Sequence, residues 1–196
     1  MMMNRKFVAK FGEKLDGKFG GQLGETLRGQ FGKPWRTERL ALYGLLVALT
    51  VIGANVKVMG SVAFDAAPAF LGTLLLGPVG GAVLGAVGHF VSAALAGFPF
   101  SVPVHLVVAV LMALTMYGYG RAFQRFHDLT AWSYGASGVV AWFINVPFSL
   151  AVLYPIMREA VWVLLLPLSL VCIANLIVAG LVYSHLSSSL KARFTR

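Results

Sequence analysis

The sequence is short of almost everything that keeps a protein of its size dissolved in water. Only 12% of its 196 residues are charged, about half of the roughly 25% usual in soluble domains. Acids are scarcest: seven Asp and Glu stand against sixteen Lys and Arg, a formal net charge of +9. One cysteine, Cys172, rules out an internal disulfide, a CxxC redox pair and a cysteine-based metal site. Its place inside an apolar run makes it a small packing residue. No GxxxxGK[ST] occurs, so the chain carries no phosphate loop of its own. No apolar stretch precedes residue 40, which argues against a cleavable signal peptide.

What is present is hydrophobic. Apolar residues make up 58% of the chain, and they gather in runs long enough to cross a hydrocarbon core of about 30 Å. Lipid offers the backbone no partners, so a spanning chain must be helical or a closed barrel; unbroken runs without strand-like alternation select helices. The fold class expected is an all-α integral membrane protein with six transmembrane helices, over Leu40–Val56, Phe64–Leu76, Val79–Ala96, Val102–Phe123, Ala131–Tyr154 and Val161–Leu186. The short connections leave no room for a soluble domain. Fourteen Lys and Arg fall in the N-terminal tail, the 121–130 connection and the C-terminus, against Lys57 and Arg158 on the other side. That bias predicts cytoplasmic termini and an even number of spans.

Three regions follow: a basic, Gly-rich tail over 1–38, a six-helix domain over 39–186, and a short cytoplasmic tail over 187–196. In the first, Phe7, Phe11, Leu15, Phe19, Leu23, Leu27 and Phe31 recur every fourth residue, a stripe that drifts by about 40° per step on a helix. Seven glycines oppose that helix. The expectation is a tail disordered in water, part of which can lie on an anionic leaflet.

Polar residues inside spans are expensive and are the first candidates for function. Gly81, Gly85, His89, Ser92 and Ala96 share one helical face, whose plain reading is a helix-packing seam. An aromatic, proline-rich loop follows, with Phe98, Phe100 and Ser101, and leads into His105. Asn145 stands two residues before Pro147, which frees the carbonyl of Phe143; Asn145 either satisfies that carbonyl or, with Trp142 and Ser149 on its face, serves a ligand. Asn175 reads as a helix-to-helix hydrogen bond. Asp65 followed by Pro68 reads as a helix cap. Tyr154, Arg158, Glu159 and Trp162 cluster on the outer side, where they act only if they fold over a shared pocket. Asp65, His89 and His105 are too scattered for a metal site, and no metal or cofactor is implied. Gly135-Ala136-Ser137-Gly138 matches the GxSG of intramembrane serine proteases, with His185 as the conceivable base. His185 lacks a following glycine, and no cluster resembling an oxyanion hole accompanies the pair.

The first span RLALYGLLVAL, the FDAAP opening of the second and the LLLGPVGGAVLGAVGH junction resemble the substrate-binding S components of energy-coupling factor (ECF) vitamin transporters, over residues 39–186. The resemblance implies a six-helix bundle in a bacterial cytoplasmic membrane that does no chemistry. It would capture a vitamin or precursor from outside and pass it to a transmembrane coupling protein with two ATP-binding cassette ATPases. The family's Ala-x-x-x-Ala docking pattern falls here on Gly44 and Ala48. The GHFVSA and GFPFSVPVH segments look most like S components assigned to α-ribazole, a cobalamin precursor. A neutral aromatic base would stack on Phe98, Phe100, Trp142 or Trp162, and a ribose would meet Asn145, His105 and Ser101. With Asp65, His89, Tyr154, Arg158 and Asn175 these are the candidate substrate residues. Thiamin, pantothenate, riboflavin or folate are the alternative cargoes, and a membrane scaffold without a ligand is the alternative class. No nucleic acid is expected as a partner.

Overall fold

The structure, a computed structural model, describes residues 37–54, 57–58, 62–63, 65–126 and 130–194. The basic tail, with its disordered or interfacial reading, lies outside these residues apart from its last two positions. Helix α1 runs over Thr37–Ala54, followed by a two-residue antiparallel ribbon, β1 Lys57–Val58 with β2 Val62–Ala63. Then come α2 over Ala67–Leu95 and α3 over Val102–Arg125. A long rod joins α4 (Thr130–Phe143), one π-turn (Ile144–Phe148) and α5 (Ser149–Met157). Helix α6 covers Ala160–His185, and a short α7, Ser188–Phe194, occupies most of the expected C-terminal tail.

Five helices among the described residues are long and apolar enough to cross a membrane: α1, α2, α3, the rod Trp132–Met157, and α6. Six were expected, and the difference lies at Gly77. That residue sits at φ 84, ψ 177 inside α2, a conformation that only glycine adopts freely. Pro78 next to it has no N–H with which to continue the ladder. The two arms of α2 fold back on each other. A Cβ on Gly81 would lie 2.9 Å from Thr73 Cα, whereas eight residues of straight helix span about 12 Å. Gly72 meets Leu84 in the same way. The expected second and third spans are thus the arms of one hairpin, and the first arm, from Ala67 to Leu76, is only about 15 Å long.

The hydrogen bonding at the start of α2 shows where that short arm begins. The Ala67 N–H donates to Asn175 Oδ1 at 2.9 Å, and Asn175 lies fifteen residues into α6, about 22 Å along it. The arm therefore starts deep in the bundle. Asp65 is not its cap: the N-cap position is Ala66, with no side-chain cap, and Pro68 occupies the first turn. With one N–H removed by the proline, a side chain from another helix takes the one before it.

Phe70 and Tyr119 meet edge-on at 5.2 Å at the centre of the core, beside buried Leu46, Leu84 and Met116. The small-residue face of α2 divides in two. Gly81 takes Thr73, and Gly85 takes the Met112 backbone, where a Cβ would come within 2.9 Å of the carbonyl oxygen. His89, Ser92 and Ala96, nearer the other end, line a cavity.

Because Gly81 abuts backbone, Gly81→Ala is expected to cost about 1–3 kcal/mol by overpacking. Gly44→Ala, whose Cβ would meet nothing within 4 Å, is expected to raise stability by up to about 1 kcal/mol, since alanine favours a helix interior. Thermal melting of the two detergent-purified variants beside the parent measures the contrast.

Candidate functional site: a cavity above the short arm of α2

A cavity of about 190 Å³ opens at the end of the bundle where α1 and α5 finish and α3 and α6 start. Asp65 and Ala66, above the short arm, line it together with His89 and Ser92 from the returning arm. Phe100 and His105 come from the 96–101 loop and the first turn of α3. The π-turn and α5 supply Asn145 and Ser149, and α6 supplies Cys172 and Asn175. Leu, Val and Met side chains fill most of the remaining wall.

Each polar group is held by an identifiable local cause. Pro147 interrupts the rod, and the chain answers with one wider π-turn rather than with the Asn145 side chain. The Ile144 carbonyl accepts from both the backbone N–H and the hydroxyl of Ser149, the latter at 2.7 Å. Asn145 is not used in that repair and lines the cavity with Cys172, so Cys172 belongs to the cavity wall and not only to the packing. Asn175 accepts from Ala67, the helix-to-helix bond expected of it. His89 Nε2 and His105 Nδ1 lie 3.2 Å apart.

The loop before α3 is strained. Gly97, Phe98 and Ser101 all have positive φ, and Ser101 stands at φ 85, ψ 153, a region that only glycine occupies comfortably. The Phe98 N–H donates to the Ala93 carbonyl at 2.8 Å, and that of Ser101 to the Phe98 carbonyl at 2.9 Å. The loop so held sets the rings of Phe98 and Phe100 at 5.8 and 6.2 Å from His105.

Of the residues expected to meet a substrate, the fold brings together Asp65, His89, Phe100, His105, Asn145 and Asn175. Phe98 and Ser101 support the loop and are not in the wall. Trp142 turns away, its indole N–H donating to Ser169 Oγ at 3.3 Å. Tyr154, Arg158 and Trp162 stay on the outer α5–α6 hairpin: the Tyr154 hydroxyl donates to Glu159 at 2.9 Å and its ring lies against Trp162. Ser92 and Ser149 were visible as polar positions on helical faces but not as site residues. The GxSG pair does not form, since the Ser137 hydroxyl donates to the Ser133 carbonyl of its own helix. His185 Nδ1 likewise bonds the Leu181 carbonyl at 2.8 Å.

The profile of the ECF transporter, substrate-specific component family matches residues 38–187. The chain belongs to that family. No curated protein and no solved structure matches it. An ECF substrate-specific component is the membrane subunit that binds the transported molecule. With five apolar helices, this one is a multi-pass membrane protein.

The electrostatics of the S component's cavity are lopsided. Asp65 is its one charged lining residue, and no Lys or Arg among the described residues joins it. Burial pushes the Asp65 carboxyl above its ordinary value of 3.8, partly offset by hydrogen bonds from Ser92 and from its own backbone. A carboxyl raised in the folded state stabilises the fold while it is protonated. Its contribution is complete below about pH 3.8 and is lost as pH climbs through the raised value. Asp65→Asn keeps the shape and removes the ionisation. The variant is expected to melt higher than the parent at about pH 7 and to show a flatter melting temperature between about pH 4 and 7, measured as a thermal-melting pH series.

Proposed function

We propose that this S component captures a compact, flat, uncharged or weakly basic vitamin precursor from the outer side of the membrane. Its best-fitting cargo is α-ribazole or the benzimidazole part of it. The observation that carries the reading is a largely apolar cavity with amide, hydroxyl and imidazole groups but no Lys or Arg among the described residues. Its 190 Å³ equal the liquid volume of about six waters and lie below the roughly 300–1,000 Å³ of drug-sized pockets. A bicyclic ring fits inside, and a ribose would sit at the mouth beside Phe100. Phosphorylated or multiply anionic cargoes fit badly against Asp65. Thiamin, pantothenate, riboflavin and folate remain as comparison cargoes.

The same reading orients the protein. Arg121 and Arg125 close α3 and Lys191 and Arg193 sit on α7, all at the Gly77 end, while Arg158 lies at the cavity end. By the positive-inside rule the cavity faces out and both termini face the cytoplasm, with the two arms of α2 counting as one descent and one return. Helix α1 has the least buried apolar window, 17% against 50% for α2, and Gly44 and Ala48 are exposed on it. That smooth face suits reversible docking of the coupling protein, which in turn carries the two ATPases.

In a thermal-shift series with the cargoes named above, one compound is expected to stabilise the protein by about 2.7 kcal/mol at a hundred times its Kd, and Asn145→Leu to abolish the shift. No shift with any of them, from a folded and monodisperse protein, would favour a scaffold. Gly44→Leu is expected to leave that ligand shift intact while reducing co-purification with the coupling protein and ATPases at least about ten-fold, as a bulky side chain blocks close helix approach.

A further inference from the structure

We propose that His105 reads a ring nitrogen of the ligand, with His89 behind it setting whether it donates or accepts; this rests on the cavity being the substrate site. Other polar groups of the wall have partners within the fold. Ser149 bonds the Ile144 carbonyl, Asn175 accepts from the Ala67 N–H, and His89 Nε2 faces His105 Nδ1. Among the described residues, His105 Nε2 is the one buried side-chain nitrogen or oxygen without a partner, on a residue only 7% exposed. Buried polar atoms are almost always satisfied, so an orphan in a cavity wall marks where a ligand atom belongs.

The histidine pair makes this atom adaptable. A neutral imidazole carries one proton on its two nitrogens, and the 3.2 Å between His89 Nε2 and His105 Nδ1 accommodates a single proton. When His89 donates, His105 holds its own proton on Nε2 and offers a donor to the ligand. When His105 donates from Nδ1, its Nε2 becomes an acceptor. Either arrangement matches one ring nitrogen, bare or protonated, and neither matches a hydrocarbon edge. The Phe100 ring beside His105 in the wall adds flat apolar surface. The ligand class this selects is an uncharged planar N-heterocycle.

The test uses the full chain in lipid nanodiscs with two ligands of one shape, benzimidazole and indene, the second lacking nitrogen. Calorimetry is expected to give benzimidazole at least about ten-fold tighter binding, since a site built around a hydrogen bond rejects the analogue that cannot make it. In ¹⁵N-histidine spectra, benzimidazole is expected to move the His105 Nε2 resonance and indene to leave it unchanged. His105→Phe is expected to bind the two equally, and His105→Gln to recover part of the preference. Equal affinities in the parent protein, binding of neither compound, or bound benzimidazole with an unmoved Nε2 resonance would each overturn the proposal. If His105→Phe fails to fold, the parent's spectra and affinity ratio decide alone. Should a vitamin from the thermal-shift series bind while benzimidazole does not, the ring-nitrogen assignment falls and substrate capture stands; should nothing bind, capture falls too.

Discussion

One hydrogen bond, from the Ala67 backbone to the Asn175 side chain, sets the depth of the whole site. A helix that begins in the middle of a membrane protein leaves its first N–H groups facing neither water nor lipid headgroups, and each unpaired one is expensive. Pro68 removes one donor, and the amide oxygen of Asn175 takes another. The chain can then begin α2 deep inside, descend for ten residues and turn at Gly77. Had the arm been full length, its upper turns would occupy the volume that is now the cavity. The cavity is the space left above a shortened helix, bordered by the loop after the returning arm.

A second local defect works in the same direction. Pro147 breaks the regular ladder of the α4–α5 rod, and the π-turn absorbs the break with Ser149 bonding the Ile144 carbonyl. Because the repair uses the backbone and a serine, the Asn145 amide is not consumed by it and faces the cavity wall at Cys172. Helix irregularity in lipid is tolerated where it is buried in protein or lines a cavity, and both irregularities here, at Ala66–Pro68 and at Ile144–Phe148, border the same one.

Much of this was legible in the sequence, and the failures have physical reasons. Membrane class and helix positions follow from hydropathy, which local composition determines. The turn at Gly77-Pro78 follows from backbone chemistry. The depth of the short arm did not follow, because it depends on a bond between residues 108 apart in the chain. Asp65, His89, His105, Asn145 and Asn175, which line the cavity, stand out in the sequence because buried polar groups are costly in apolar runs. Tyr154, Arg158 and Trp162 were over-read for the converse reason. Polar and aromatic residues at a helix-connecting hairpin already have headgroups and one another to interact with. Trp142 lies on the same face as Asn145, but only the contact with Ser169 reveals that its indole is committed elsewhere.

The pairing pattern of the wall also bears on how a capture protein can work cyclically. A cavity that binds must also stand empty in lipid without collapsing or flooding. Unpaired amides and carboxylates would make the empty state costly in a low-dielectric setting, and several new ligand bonds would make release slow. Here Ser149 bonds the Ile144 carbonyl and Asn175 accepts from the Ala67 N–H, so part of the wall's polar surface is satisfied without a ligand. An apolar wall holds a ligand through the area it removes from water, and that contribution falls when the wall is exposed. Recognition through few polar atoms and retention through an apolar wall are separable.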